Sequence, residues 1–305
     1  MTHRILLVRG HAPRDSARAN SYARRGSKRR TPLLDRLPYV FLCALPFVAL
    51  VFVSARPLRT AGLSQILGVV LFAAVVVAAW LAGPRKVDLR EEGRGKQALA
   101  GLLLIVPFAM FSLLWVGLGP PFQATLPENY MRYLVLVWSS IIVTIGFVIQ
   151  KDVLSDSGER ICSSVGLATA LTAGAAYLVC LNLSLAGTAL ALHGDETPPN
   201  AILGNYYSAI EFVACVTTYV TTAVFAAGMG RVRLLGRGAA AAYVTMASIL
   251  VLLIILRGLE FPEISANTAP WYTRPGVIAG IPAIPWVMPC LLGAVLLRRA
   301  RGQQP

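Results

Sequence analysis

Apolar residues run along this chain in long unbroken blocks, not in the two-residue alternation of a half-buried strand or the narrow stripe of a soluble amphipathic helix. A hydrocarbon layer about 30 Å thick is crossed by roughly 20 helical residues at ~1.5 Å each. Eight blocks meet that requirement, at residues 38–55, 62–82, 98–118, 131–148, 161–187, 206–229, 239–256 and 276–297. The segments between them have the chemistry of loops. GPRKVDLREEGRGK is densely charged, GPPFQATLPENY and LHGDETPPN carry proline pairs that donate no backbone hydrogen bond, and GRVRLLGRG is rich in Gly and Arg. Inside hydrocarbon a chain satisfies its backbone only as a helix or a closed barrel, and blocks of this length are helical. The pattern predicts an all-α, polytopic transmembrane helical bundle of about eight spans over residues 38–298, with a tail over 1–37 and a short tail over 299–305.

Composition excludes the soluble alternative. Of 305 residues 56% are hydrophobic and only 14% charged, against roughly 25% charged in soluble domains. The mean hydropathy is +0.65. A net charge of +14 raises nucleic acid as a partner, but position argues against it. Most of the 28 Lys and Arg lie in the N-terminal tail and in the loops after spans 2, 4, 6 and 8, and few lie in the alternate loops. That asymmetry marks the cytoplasmic face and predicts that both termini are inside. The chain's expected partners are the lipid bilayer and, at the basic tail with its RRGSKRR run, anionic lipid headgroups; no nucleic acid is expected, and a membrane protein partner is left unidentified. The expected location is a cell membrane of the bacterial inner or plasma type. An Arg-rich, acid-poor leader also has the composition of a transit peptide, which makes an organellar membrane the second placement. The tail reads as disordered. Tyr39, Trp80, Trp115, Tyr130, Tyr206 and Trp271 fall near span ends, at the headgroup level that such rings prefer.

Against that background one residue stands out. Of the 28 Lys and Arg and 14 Asp and Glu, only Glu211 lies well inside a span. A carboxyl in hydrocarbon is costly and faces the bundle interior or a cavity. Tyr207, Glu211, Cys215, Thr218 and Thr222 recur every three or four residues, so they draw a polar stripe along span 6. Glu211 stands about five residues, roughly 8 Å, below the outer end of that span. Asn182 and Ser184 in span 5, Ser139 and Ser140 in span 4, and Ser112 in span 3 fall at similar depth. The expected ligand or proton site is therefore Glu211 with Tyr207, Thr218, Asn182, Ser139 and Ser140. The plainer reading is a neutral Glu211 bonded to a neighbouring helix, with each threonine bonded to its own backbone. Span 8 carries Pro282, Pro285 and Pro289, each removing a helical hydrogen bond, and is expected to be kinked or partly unwound as a hinge or cavity wall. Gly166, Ala170 and Gly174 form a small-residue ladder in span 5 that favours close packing within the chain.

Absences narrow the chemistry. His3 and His11 lie in the tail and His193 in a loop, so no span offers an imidazole for haem, metal or a Ser-His dyad. Cys43, Cys162, Cys180, Cys215 and Cys290 sit singly in apolar blocks and read as packing residues, not as disulfides or zinc ligands. No metal or cofactor is expected. The HGDET turn reads as an exposed loop. The two halves show no internal repeat of the kind that inverted-repeat transporters display. The leading expectation is a non-enzymatic sensory or accessory membrane module with an outward-facing polar cavity near Glu211. The alternatives are a small-solute or proton-coupled carrier, which needs a polar route reaching both faces, and a membrane-embedded enzyme acting on a lipid-like substrate, which needs a second reactive group at one depth. The last residues, RRARGQQP, hold no output domain, so a sensor would signal through a partner.

Overall fold

A computed structural model describes residues 33–54, 63–87, 92–119, 121, 124–194, 201–259, 276, 278–281 and 283–302. These form eight α-helices: α1 Leu33–Ser54, α2 Leu63–Ala82, α3 Glu92–Leu118, α4 Leu126–Asp156, α5 Ile161–Leu192, α6 Ala201–Arg231, α7 Arg237–Arg257 and α8 Val287–Ala300. They follow the eight apolar blocks in order. The chain is a polytopic helical bundle, and among the described residues α2 to α7 are each long and apolar enough to cross a bilayer. Most of the basic tail and the loops at 55–62, 195–200 and 260–275 lie outside the described residues.

Several helices outrun their apolar blocks. α4 begins five residues early because the Thr125 backbone N–H donates to Glu128 Oε2 at 2.7 Å and caps the first turn. At its other end α4 continues past the block through Gln150 and Lys151 to Asp156, whose carboxylate meets Lys96 at 3.1 Å. That pairing also draws α3 into the charged segment before the third block. α1 likewise starts at Leu33, inside the stretch expected to be a tail.

Successive helices from α1 to α7 pack on one another, and α8 returns to lie against α3, with further contacts to α1, α2 and α6. Its residues from Val287 to Leu297 are all buried, as a helix apolar on every side should be. α5 and α7 turn large apolar side chains such as Val165, Leu171, Ile249 and Leu252 outward, which suits a lipid-facing rim. Small residues set the closest approaches. Gly166 faces the Phe225 ring, and Gly174 faces the Thr144 hydroxyl, so the ladder on α5 packs within the chain.

The described residues just before α8 are not α-helical. Ile278–Gly280 and Ile284–Trp286 are short 3-10 turns, joined through Ala283 at φ 74°, a conformation costly for an L-residue. Pro285 and Pro289 lie in and after this strap, and Pro282 lies outside the described residues. Its carbonyls find partners in α6: the Tyr219 hydroxyl donates to Ala279 O at 3.0 Å and the Cys215 thiol to Gly280 O at 3.6 Å. Broken backbone at membrane depth is thus enclosed by protein. At 14 residues α8 alone extends about 21 Å, shorter than a hydrocarbon layer of ~30 Å.

At the opposite end, basic side chains tie the elements together. Arg299 donates through Nε to Leu234 O and through Nη2 to Arg233 O, both at 2.7 Å, and Arg298 stacks over the Tyr39 ring at 4.8 Å. Glu159, in the turn before α5, accepts the Cys162 backbone N–H at 2.9 Å and lies 3.6 Å from Arg231. The Cys162 N–H above all, with Arg231 beside it, holds this carboxyl below the usual carboxylate range. A depressed folded value means the ionised form stabilises the fold above the unfolded value of about 4.3, and that contribution disappears as pH falls through the folded value. Glu159→Gln should therefore flatten the acid limb of thermal stability in detergent between about pH 5 and 3. Identical slopes for the two proteins would assign the acid limb to other groups.

Candidate functional site

The ends of α3, α4 and α6 farthest from the Arg299 clamp do not close on one another. They leave a cavity of about 320 Å³. One wall is the last turns of α3, with Phe111, Leu114 and Trp115, where the Phe111 and Trp115 rings meet in tilted contact with centroids 5.6 Å apart. Arg132, Tyr133 and Leu136 of α4 form the second wall, and Tyr207, Ser208 and Glu211 of α6 the third. Ile281 of the strap closes the fourth side.

Each polar side chain is placed by its helix. Arg132 sits two turns into α4, is 4% exposed, and donates through Nη2 to Gly119 O at 2.5 Å, pinning the end of α3 to α4. Glu211 sits three turns into α6 and is 2% exposed; its Oε1 is fully enclosed and, among the described residues, has no hydrogen-bond partner. Tyr133 and Tyr207 approach from opposite helices, with the Ser184 hydroxyl of α5 beside both rings' hydroxyls. Arg257, at the end of α7, sets its guanidinium close against Gly280 of the strap, on the Glu211 side of the bundle. The cavity thus has an apolar and aromatic lining with a guanidinium, a carboxyl and two phenols converging on it, the composition of a small-molecule site.

The floor is closed. One turn below Glu211, Cys215 is fully buried, and Thr218, Thr221 and Thr222 donate to the helix's own carbonyls of Ala214, Thr217 and Tyr219. Deeper still, Phe147 and Phe225 stack in parallel at 5.4 Å. Among the described residues the threonines of α6 below Glu211 are therefore bonded to their own backbone and the Cys215 thiol to Gly280 O of the strap.

The structure brings together only part of the expected set. Glu211 and Tyr207 line the cavity. Thr218 is buried beneath it, Ser139 and Ser140 are buried within the α4 packing, with the Ser140 hydroxyl donating to Val137 O at 2.7 Å, and Asn182 is exposed and donates to Leu178 O at 2.7 Å. Depth alone grouped these residues, and depth does not specify which way a helix face turns. Arg132, Tyr133 and Ser208 were not anticipated. A signal existed: Arg132 and Arg257 are among the few basic residues on the side where Lys and Arg are scarce, and both turn inward. Among the described residues no set of three or more His, Cys, Asp or Glu gathers as a metal site. Compared with protein-family models, with curated proteins and with solved structures, the chain matches none of them.

Proposed function

We propose that this chain is a ligand-binding membrane module, sensory or accessory in role, whose pocket opens to the outer face and ends at Glu211. The observation that carries the reading is the buried, unpartnered Oε1 of Glu211 at the base of a cavity whose floor is packed side chains. A carboxyl oxygen enclosed without a partner costs about 1–3 kcal/mol, and such a cost is tolerated where a ligand supplies the missing bond. The charge asymmetry of the loops supports the outward orientation, with both termini inside a bacterial-type cell membrane. A carrier needs polarity reaching both faces, and the threonines below Glu211 are already bonded to their own helix.

Thiol accessibility separates these readings. In sealed, right-side-out vesicles, a membrane-impermeant thiol reagent should modify Ser208→Cys on the cavity wall and leave the native Cys215, one turn below Glu211, unmodified, as read by peptide mass mapping. Modification of Cys215 in sealed inside-out vesicles would sink the closed pocket in favour of a carrier. An inert Ser208→Cys from outside would remove the outward opening.

A further inference from the structure

The strap between α7 and α8 has a second face. Ile281 faces the Glu211 cavity, while Ala279 and Ile284 on the other side form the back of a separate cavity of about 270 Å³. Its remaining walls come from Phe47 of α1, Tyr219 of α6, Met246 and Leu250 of α7, and Met288 of α8. Among the described lining residues Tyr219 brings the only side-chain oxygen or nitrogen, and that hydroxyl is committed to Ala279 O at 3.0 Å. The walls therefore offer dispersion and apolar contact alone. A dry cavity of about 150 Å³ lined by Leu, Ile and Phe already takes a benzene ring, so this one holds a longer apolar group.

Its position says which. Among the described residues α1 and α7 are not packed along one another, and the cavity lies between them. On the rim Phe47 is 49% exposed, and Ile249 and Leu252 on α7 point outward at 53% and 55%. Met246 stands nine residues from Arg237, about 14 Å along α7, and Leu250 about 20 Å. Both depths fall within a hydrocarbon layer of ~30 Å. The opening is thus continuous with the surface that meets lipid tails. The geometry points to a lateral lipid site in which one acyl chain of a bilayer lipid enters between α1 and α7 and lies against the back of the strap. The chain would press on the wall that the Glu211 cavity shares.

The test is retention of lipid by the full-length protein, purified in mild detergent and washed extensively, with bound phospholipid counted by native mass spectrometry. Wild type should keep close to one phospholipid per chain. Ala279→Phe, which fills the back of the cavity, and Met246→Trp, which narrows its half-buried mouth, should each lower retention at least tenfold. Leu252→Phe, on the outward face of α7, should leave it unchanged. Met246→Trp keeps the test decisive where Ala279→Phe fails to fold, since Met246 lies at the rim and not in the core. Wild type free of lipid after washing overturns the site. So does undiminished retention in a monodisperse Met246→Trp protein, or equal loss in Leu252→Phe.

Discussion

Gly293→Ala should lower the stability of the detergent-solubilised protein by about 3 kcal/mol. α3 and α8 cross with their backbones in contact. A Cβ at Gly293 would stand 2.6 Å from the Gly101 carbonyl oxygen and 3.0 Å from Ile105 Cγ1, and a Cβ at Gly101 would stand 2.8 Å from the Gly293 carbonyl oxygen. The two carbonyl contacts are with backbone, so relief requires the helices to part. α8 is enclosed by α1, α2, α3 and α6, and parting it from α3 loosens the packing of the whole centre. Gly→Ala within a helix otherwise gains up to about 1 kcal/mol, and Gly187→Ala in α5, with nothing within 4 Å of the new Cβ, is the matched control. The two substitutions should therefore move the melting temperature in opposite directions. Gly101→Ala combined with Gly293→Ala should cost less than the sum, because one parted crossing accommodates both methyls. Equal melting temperatures for Gly293→Ala and Gly187→Ala would mean that α3 and α8 do not cross this closely.

The number and order of helices were legible because the energetic contrast between hydrocarbon and water acts on whole segments. Which helix lies at the centre was not. Lipid tails are as apolar as leucine, so a lipid-facing residue and a core residue carry the same signature, and α8 reads no differently from α7 until it is seen enclosed. Facing is legible only where side chains are small or polar. Gly166 and Gly174 pointed correctly to a packed face of α5, and Glu211 to the interior. Threonines were a weaker guide, since Thr218 and Thr222 satisfy themselves on the preceding turn wherever they point. Arg132 escaped notice because it stands at the edge of its apolar block, where an arginine ordinarily reaches out to headgroups. Here it turns in and bonds the end of α3. The prolines of the last block pointed to a break, and what they did not specify is that the break forms a thin wall with a cavity on each side.

That wall makes Glu211 the residue whose replacement best separates a binding role from a packing role. Glu211→Leu should raise the melting temperature, corresponding to about 1–3 kcal/mol, because it exchanges an enclosed carboxyl oxygen without a partner for a side chain that fills similar space with apolar contacts. Glu211→Gln, nearly isosteric, should leave the fold intact with a smaller change in stability. Both should weaken by at least tenfold the binding of any compound found to protect Ser208→Cys from the external thiol reagent or to raise the wild-type melting temperature, since loss of one charge-assisted hydrogen bond in an enclosed site costs roughly 1.5–3 kcal/mol. Stability gained as binding is lost is the signature of a side chain held at a cost for function. A carboxyl kept for architecture behaves in the opposite way: its removal would lower the melting temperature by several degrees and leave protection at position 208 unchanged. That outcome in both variants would reduce Glu211 to a packing residue and withdraw the pocket's claim to a ligand.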